Sequence, residues 1–194
     1  MNAYILAGGF SKRFGEDKTL FPIGGKPLIL HLYGKVSKFF PTYVVAKDIE
    51  KYRRLGIENV IPDAFPEIQS PLVGIYTALS HSGEEWNLIL SADLPLLCDR
   101  YLELVKTFPY RGEYLGYIPL LEGKMHFTCG VYSKKFLPLL EGAIKGRNLS
   151  VKQFLNHFHL WDEEFLKAQG VDRCCCFNLN RKEDLKRLKD CKGD

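Results

Sequence analysis

Apolar runs of strand length alternate along this chain with segments of helical period. Ala3-Tyr4-Ile5-Leu6 is continuously apolar and stops at Gly8-Gly9, which predicts a short buried strand. Pro27 then opens a helix whose stripe is Leu28, Leu32, Val36 and Phe39-Phe40, close to the i, i+4, i+8 spacing. Tyr43-Val44-Val45-Ala46 predicts the next strand, and a charged helical turn follows from Asp48 to Leu55. Val60-Ile61 predicts a third strand ending at Pro62-Asp63, and Leu72, Ile75, Tyr76 and Leu79 mark one side of a helix. Leu88-Ile89-Leu90 predicts a fourth strand running into Ser91-Ala92-Asp93-Leu94-Pro95; Asp99 is then placed to cap a helix through Leu102, Val105 and Phe108.

The second half is less regular. Glu113–Leu121 and His126–Tyr132 read as two strands joined across Glu122-Gly123-Lys124, a hairpin-like insertion. Ser150 and Gln153 form a capping box for a helix through Phe154, Leu155 and Phe158, and Cys174–Leu179 reads as a last strand before a helix from Lys182 to Leu188. Strands alternating with amphipathic helices predict an α/β fold, with a mostly parallel central sheet flanked by helices on both faces. Ligands of such sheets bind beyond the carboxyl ends of the strands, which selects the loops after Leu6, Ala46, Ile61 and Ala92. No internal repeat or linker interrupts residues 1–194, so a single domain is expected.

Composition narrows the function classes. With 46% hydrophobic and 26% charged residues the chain is an ordinary globular one, and a net charge of +4 is too small for a dedicated nucleic-acid binder. No apolar run is long enough to cross a membrane, and the opening Met-Asn-Ala-Tyr-Ile-Leu lacks the features of a signal peptide, so a cytoplasmic location is expected. Cysteines at 98, 129, 174, 175, 176 and 191 show no C-x-x-C zinc spacing; the Cys174-Cys175-Cys176 run reads as part of a buried, reduced strand.

The most informative stretch is Leu6-Ala7-Gly8-Gly9-Phe10-Ser11-Lys12-Arg13-Phe14-Gly15-Glu16-Asp17-Lys18. Glycines after a strand let backbone N–H groups approach phosphate oxygens, and the cations Arg13 and Lys18 suit a triphosphate and its departing pyrophosphate. The spacing fits neither a P-loop nor a dinucleotide fingerprint. By itself the stretch is equally a glycine turn with exposed basic residues.

The segment resembles the L-A-G-G-x-S-x-R-x-G-x-D-K signature of the molybdenum cofactor guanylyltransferases of the MobA type, with Phe14 where Met is common. The resemblance continues in order through Gly25-Lys26-Pro27-Leu28, Asp63, Ser70-Pro71-Leu72-Val73-Gly74, Ala92-Asp93-Leu94-Pro95 and Asn178-Leu179-Asn180. It implies a Rossmann-like nucleotidyltransferase fold and transfer of GMP from GTP to molybdopterin, with or without molybdenum, giving molybdopterin guanine dinucleotide and pyrophosphate. It also implies Mg²⁺ as cofactor, and proteins that insert molybdenum or receive the finished cofactor as partners. The nucleotide-binding residues implied are Leu6, Ala7, Gly8, Gly9, Lys18, Asp63 and Asp93, with Arg13, Lys18 and Asp93 catalytic and Asp93 the metal ligand. Backbone groups of Leu6, Ala7 and Gly8 are expected at the guanine and ribose, and Asn178 and Asn180 on the acceptor side.

Other readings stay open at this level. Asp93 and Asp63 each suit a turn, and Asn180 suits a helix cap. His126-Phe127-Thr128 departs from the family's His-Pro-Thr, and Ala46 with Lys47 stands where an asparagine is expected near the nucleotide. His157 and His159 are spaced for different helical faces, against a shared metal. A cytidylyltransferase of the same fold, acting on molybdopterin or another phosphorylated small molecule, and a non-catalytic GTP-binding protein are the alternatives; Gly8-Gly9 favours the guanylyl branch over the L-A-A-G of cytidylyl enzymes.

Overall fold

A computed structural model describes residues 1–8, 17–181 and 183–192. Gly9 and Arg13 of the glycine-rich signature therefore lie outside the described residues. In chain order the elements are β1 (Asn2–Leu6), β2 (Pro22–Ile23), β3 (Lys26–Pro27), α1 (Leu28–Val36), β4 (Thr42–Ala46), α2 (Ile49–Arg53), β5 (Val60–Pro62) and α3 (Pro71–His81). There follow β6 (Trp86–Ser91), α4 (Asp99–Thr107), β7 (Gly116–Leu121), β8 (Lys124–Met125), β9 (Cys129–Ser133), α5 (Leu137–Lys145), β10 (Phe158–Trp161), α6 (Glu163–Ala168) and α7 (Asp184–Lys192).

The main sheet runs β10-β7-β9-β6-β1-β4-β5, with β8 hydrogen-bonded to β7. β5, β4, β1 and β6 are mutually parallel, and β9 lies antiparallel between β6 and β7. In the parallel part the chain winds outward from β1 to β4 and β5, then crosses back to β6. The winding therefore reverses between β1 and β6, and loops leaving those two strands open a crevice at their carboxyl ends. Apolar runs cover both faces because successive side chains alternate. Ala3 and Ile5 pack on one side with Leu32 and Val36 of α1 and Leu102 and Val105 of α4. Tyr4 packs on the other with Leu72 and Ile75 of α3 and Leu140 of α5.

The early expectations correspond to real elements. The strands after Asn2, Thr42, Val60 and Trp86 and the helices after Pro27, Asp48, Ser70 and Cys98 all form. Cys98 rather than Asp99 is the N-cap of α4, and Asp99 lies in its first turn. The Glu122-Gly123 turn also forms, with both residues at positive φ. Its return strand β9 is not a peripheral insertion, because it fills the sheet between β6 and β7. Ser150 makes no side-chain cap to the Val151–His157 segment, which is a 3₁₀-helix; Gln153 turns back to the carbonyls of Asn148 and Ser150 instead.

The cysteine segment differs most from expectation. Residues 173–176 form a turn, not a strand. The Asp172 carboxylate accepts the Cys174 amide at 2.7 Å and the Asp172 carbonyl accepts the Cys175 amide at 2.9 Å, a local pairing that displaces a sheet ladder. All three thiol side chains are buried, as expected of small hydrophobes, but Cys174 is not reduced: it is disulfide-bonded to Cys191 of α7. Burial was legible from composition, and the partner was not, since pairing depends on where α7 docks.

Two outcomes test this packing. A Cβ on Gly130 would lie 2.7 Å from Ile118 Cδ1 and 3.1 Å from the Tyr117 carbonyl oxygen, so Gly130→Val is expected to destabilise the protein by about 1 to 3 kcal/mol in denaturant unfolding. Cys191→Ser opens a loop of sequence separation 17 and is expected to remove up to about 3 kcal/mol, a loss that reducing agent reproduces in the parent protein and does not add to in the variant.

Candidate active site

The crevice between the ends of β1 and β6 is a cleft of about 400 Å³. Its walls come from the segments that the topology selects: Leu6, Ala7 and Gly8 after β1, Lys47 after β4, Asp63 after β5, and Ser91 to Asp93 at the end of β6. Lys18, Thr19, Asn178 and Asn180 complete it. Every described residue assigned to the site from sequence therefore lines one cleft. The expectation that the first glycine bend and the β6 aspartate face the same edge of the sheet is met.

Asp93 is the centre of this arrangement. Its side chain is 14% exposed, and its two oxygens are used differently. Oδ1 accepts from Ser91 Oγ at 2.7 Å and from Asn178 Nδ2 at 2.8 Å, which fixes the carboxylate plane. Oδ2 faces the cleft and accepts from Lys18 Nζ at 2.7 Å, while Asn180 Oδ1 approaches the same ammonium at 3.4 Å. The Asp93 carbonyl also receives the Leu179 amide at 2.9 Å, so the Asn178-Leu179-Asn180 segment is clipped to the aspartate loop through main chain and side chain. Asn180 N and Arg181 N both donate to Asp184, so it is Asp184 that caps the region before α7.

At the β5 edge of the cleft, Asp63 follows the strand with its amide on the Ala46 carbonyl at 3.2 Å. Its Oδ1 accepts from Phe65 N at 3.2 Å and Thr77 Oγ1 at 3.4 Å; its Oδ2 points at Gly8, 3.6 Å from where a Cβ would sit. The turn role and the cleft position therefore coexist in one residue. Gly74 on α3 is packed more tightly still against the cleft floor: a Cβ there would meet Leu6 Cδ1 at 2.7 Å.

The backbone of Leu6 and Ala7 is more committed than expected. The Ala7 amide donates to the Val45 carbonyl at 2.9 Å, and the Leu6 carbonyl accepts the Ala92 amide at 3.1 Å. The Ala7 carbonyl accepts from Tyr52 OH at 3.3 Å. The Ala7 N–H is thus spent inside the sheet, and these carbonyls keep only a second lone pair for a ligand. Ala46 is buried, and at this edge Val45 and Lys47 line the cleft in its place. Lys47 Nζ donates to the Pro66 carbonyl.

Ser91, Thr19, Lys51 and Tyr52 were not singled out by sequence. Ser91 carries a faint signal, two residues before Asp93 at a strand end; the others carry none. Thr19 and Lys51 hold Asp17, which caps the short 3₁₀ turn Lys18–Leu20, and Tyr52 bonds to both Thr19 and Lys51. Asp17 Oδ1 accepts Thr19 N at 3.0 Å and Thr19 Oγ1 at 2.7 Å, and Lys51 pairs with Oδ2. Partial burial works against the Asp17 charge, but the hydrogen bonds from Lys51 and Thr19 and the Lys51 charge hold its carboxyl below the ordinary range. Burial likewise opposes the Lys51 ammonium, and its bonds to Asp17 and Tyr52 outweigh it and raise the pKa.

Beside the cleft, and sharing Pro71, Thr128 and Asn178 with it, lies a second hollow of about 300 Å³ lined also by His126, Phe127, Ser150 and Lys152. Burial pushes the His126 imidazole below its ordinary value, against the opposing hydrogen bond with Asn178. His157 and His159 are far from any shared ligand role: His157 ends the 3₁₀ segment, and His159 packs on Tyr114 and Tyr117. Among the described residues no group of three or more His, Cys, Asp or Glu side chains is placed to hold a metal ion, and no helix is long and apolar enough to cross a membrane.

Known proteins resemble this chain in sequence and in fold. The family model of the MobA-like NTP transferase domain matches residues 3–160. A protein of Aquifex aeolicus named "Probable molybdenum cofactor guanylyltransferase" is 39% identical over 187 residues, covering 95% of this chain and 88% of its own. A protein of the same name from Pyrococcus furiosus is 34% identical over 194 residues, with 95% and 94% covered. The solved structure of molybdopterin-guanine dinucleotide biosynthesis protein A from Archaeoglobus fulgidus superposes with a TM-score of 0.84 at 25% identity, covering 98% of this chain and 97% of the other.

The Asp17–Lys51 tie has a defined pH window. The depressed Asp17 value means its contribution is complete above an ordinary carboxyl pKa of 3.8 and is lost as pH falls through the lower folded value. The raised Lys51 value means its contribution is complete below 10.5 and is lost as pH climbs through the higher folded value. The stability difference between the parent and Lys51→Met is therefore expected to persist from neutral pH down to 3.8 and then to shrink as pH falls through the lower folded value, as read by thermal unfolding. A difference unchanged in strong acid contradicts the tie.

Proposed function

Because the chain belongs to the MobA-like NTP transferase family, we propose that it is a guanylyltransferase that moves GMP from GTP onto the terminal phosphate of molybdopterin. Residues 1–194 act in this reading as one nucleotidyltransferase domain. The observation that carries it is the meeting of Lys18, Asp93 and Asn180 at the mouth of the glycine-rich bend, in a cleft large enough for a nucleotide. Leu6, Ala7 and Gly8 form the floor under the nucleoside, Gly9 is assigned to nucleotide binding with them, and Asp63, with Oδ2 turned to Gly8, reaches the base or ribose. Arg13 and Lys18 balance charge on the α-phosphoryl group and the departing pyrophosphate. The hollow past Asn178 and Thr128 lies where the acceptor must approach, so Asn178 and Asn180 stand between donor and acceptor.

Nucleotidyltransferases use a divalent cation, and Mg²⁺ is the ion we assign. The donor set fits it: Asp93 Oδ2 and Asn180 Oδ1 are hard oxygens that already converge on a cation, the Lys18 ammonium. A single carboxylate suits an ion that completes its shell with substrate phosphates and water. When bound there, Mg²⁺ would offset phosphate charge; Asp93 and Asn180 would hold it.

The chemistry asks little of the protein beyond placement. A phosphate oxygen of the acceptor, already anionic, forms a bond to the α-phosphorus while the bond from that phosphorus to the β-phosphate oxygen breaks, and the electron pair leaves with pyrophosphate. No general base is needed, and positioning with electrostatic stabilisation supplies the rate. Ser91 and Asn178 contribute by fixing Asp93, and Lys18 by carrying positive charge to the phosphates. The expected protein partners are those that insert molybdenum or take up the finished cofactor.

Incubation with Mg·GTP and molybdopterin is expected to yield the guanine dinucleotide by mass analysis, together with pyrophosphate; turnover with CTP and none with GTP would refute the guanylyl assignment. Asp93→Ala is expected to lower kcat/KM by about 1000-fold.

A further inference from the structure

Tyr52 lies on α2, outside the family signature, and is 2% exposed with its ring in the main core. A phenylalanine would fill that space without a polar atom to satisfy, so the hydroxyl calls for its own explanation. The oxygen stands 3.3 Å from the Ala7 carbonyl, where the chain enters the glycine-rich segment, and 3.3 Å from Thr19 Oγ1, where the chain leaves it. Thr19 commits its proton to Asp17 Oδ1, so the single Tyr52 proton is shared between the two stems. Lys51 Nζ donates to the Tyr52 oxygen at 3.2 Å and to Thr19 Oγ1 at 3.3 Å, and it also pairs with Asp17. Entry and exit of the segment are thus tied through one buried node, and Lys18, between Asp17 and Thr19, is the residue that node aims at Asp93.

We propose that Tyr52 is a positioning residue that ties Ala7 to Thr19 and thereby presents the adjoining Lys18 to the bound triphosphate. The proposal rests on the nucleotide reading of the cleft. Holding Lys18 in place before the ligand arrives removes an ordering cost from binding, so the hydroxyl should be felt in nucleotide affinity. Loss of one such buried hydrogen bond corresponds to roughly a 3- to 10-fold weakening. Thr19 shares the effect because it is the other end of the tie.

The test is calorimetric binding of Mg·GTP to the full chain and to Tyr52→Phe, Thr19→Val and Thr19→Ser, with thermal unfolding recorded for each. Tyr52→Phe and Thr19→Val should each raise the dissociation constant about 3- to 10-fold, and Thr19→Ser should restore it. In a Lys18→Ala background Tyr52→Phe should add no further loss, which a general loosening of the core would not reproduce. An unchanged dissociation constant in Tyr52→Phe, or an equal loss in the Lys18→Ala background, overturns the proposal. Failure of the parent protein itself to bind GTP overturns the nucleotide assignment, and this inference with it; binding by the parent separates the two.

Discussion

The site depends on the parallel register of β1 with β6, which sets Leu6 opposite Ser91. Because both strands point the same way and end at the same level, Ala7-Gly8 after one and the aspartate loop after the other leave the sheet side by side. The Ala92 amide on the Leu6 carbonyl extends that pairing one step past the strands. Neither loop could be moved without slipping the register, and a one-residue slip would send the buried faces of both strands to the wrong side. The cleft is therefore a consequence of the core, and its position is as secure as the packing of Ala3, Tyr4 and Ile5.

On that frame the polar groups form a graded arrangement. Ser91 and Asn178 spend their hydrogen bonds on one oxygen of Asp93, which leaves the other facing the cleft with Lys18 against it. A carboxylate held in this way costs no reorientation when positive charge is brought to it, the preorganisation that makes electrostatic stabilisation effective. Asp17 and Lys51 lie behind, at the exit of the glycine-rich segment. The cation pairs in the two layers do different work: Lys51 holds structure, while Lys18 faces the ligand space.

Much of this was legible in the sequence, for identifiable reasons. Strands buried on both faces read as continuous apolar runs, and Leu88-Ile89-Leu90 announces β6 without help from its neighbours. Asp93 and Lys18 stand after a strand and a glycine-rich stretch, positions that local pattern reads equally as turns, and it is the family resemblance that singles them out. Strand β10 was not legible: Phe158 and Trp161 are buried while Leu160 is exposed, so Phe158 was drawn into a helical pattern instead. The Cys174–Leu179 strand failed because a single aspartate, Asp172, captured the local amides. Asn178 holds Asp93 across 85 residues of sequence, and Tyr52 reaches Ala7 across 45; contacts at that range leave no mark on local pattern. Resemblance supplied the first of these and nothing supplied the second.

In the proposed function the segment after β1 and the aspartate after β6 hold one triphosphate between them. The most direct measurement is a crystal structure of the protein with Mg²⁺ and a non-hydrolysable GTP analogue. The ion is expected at about 2.1 Å from an Asp93 oxygen, with Lys18 Nζ on phosphate oxygens and the nucleoside over Gly8 beside Asp63. A nucleotide seated away from the β1 and β6 ends, or an ion with no bond to Asp93, would contradict it.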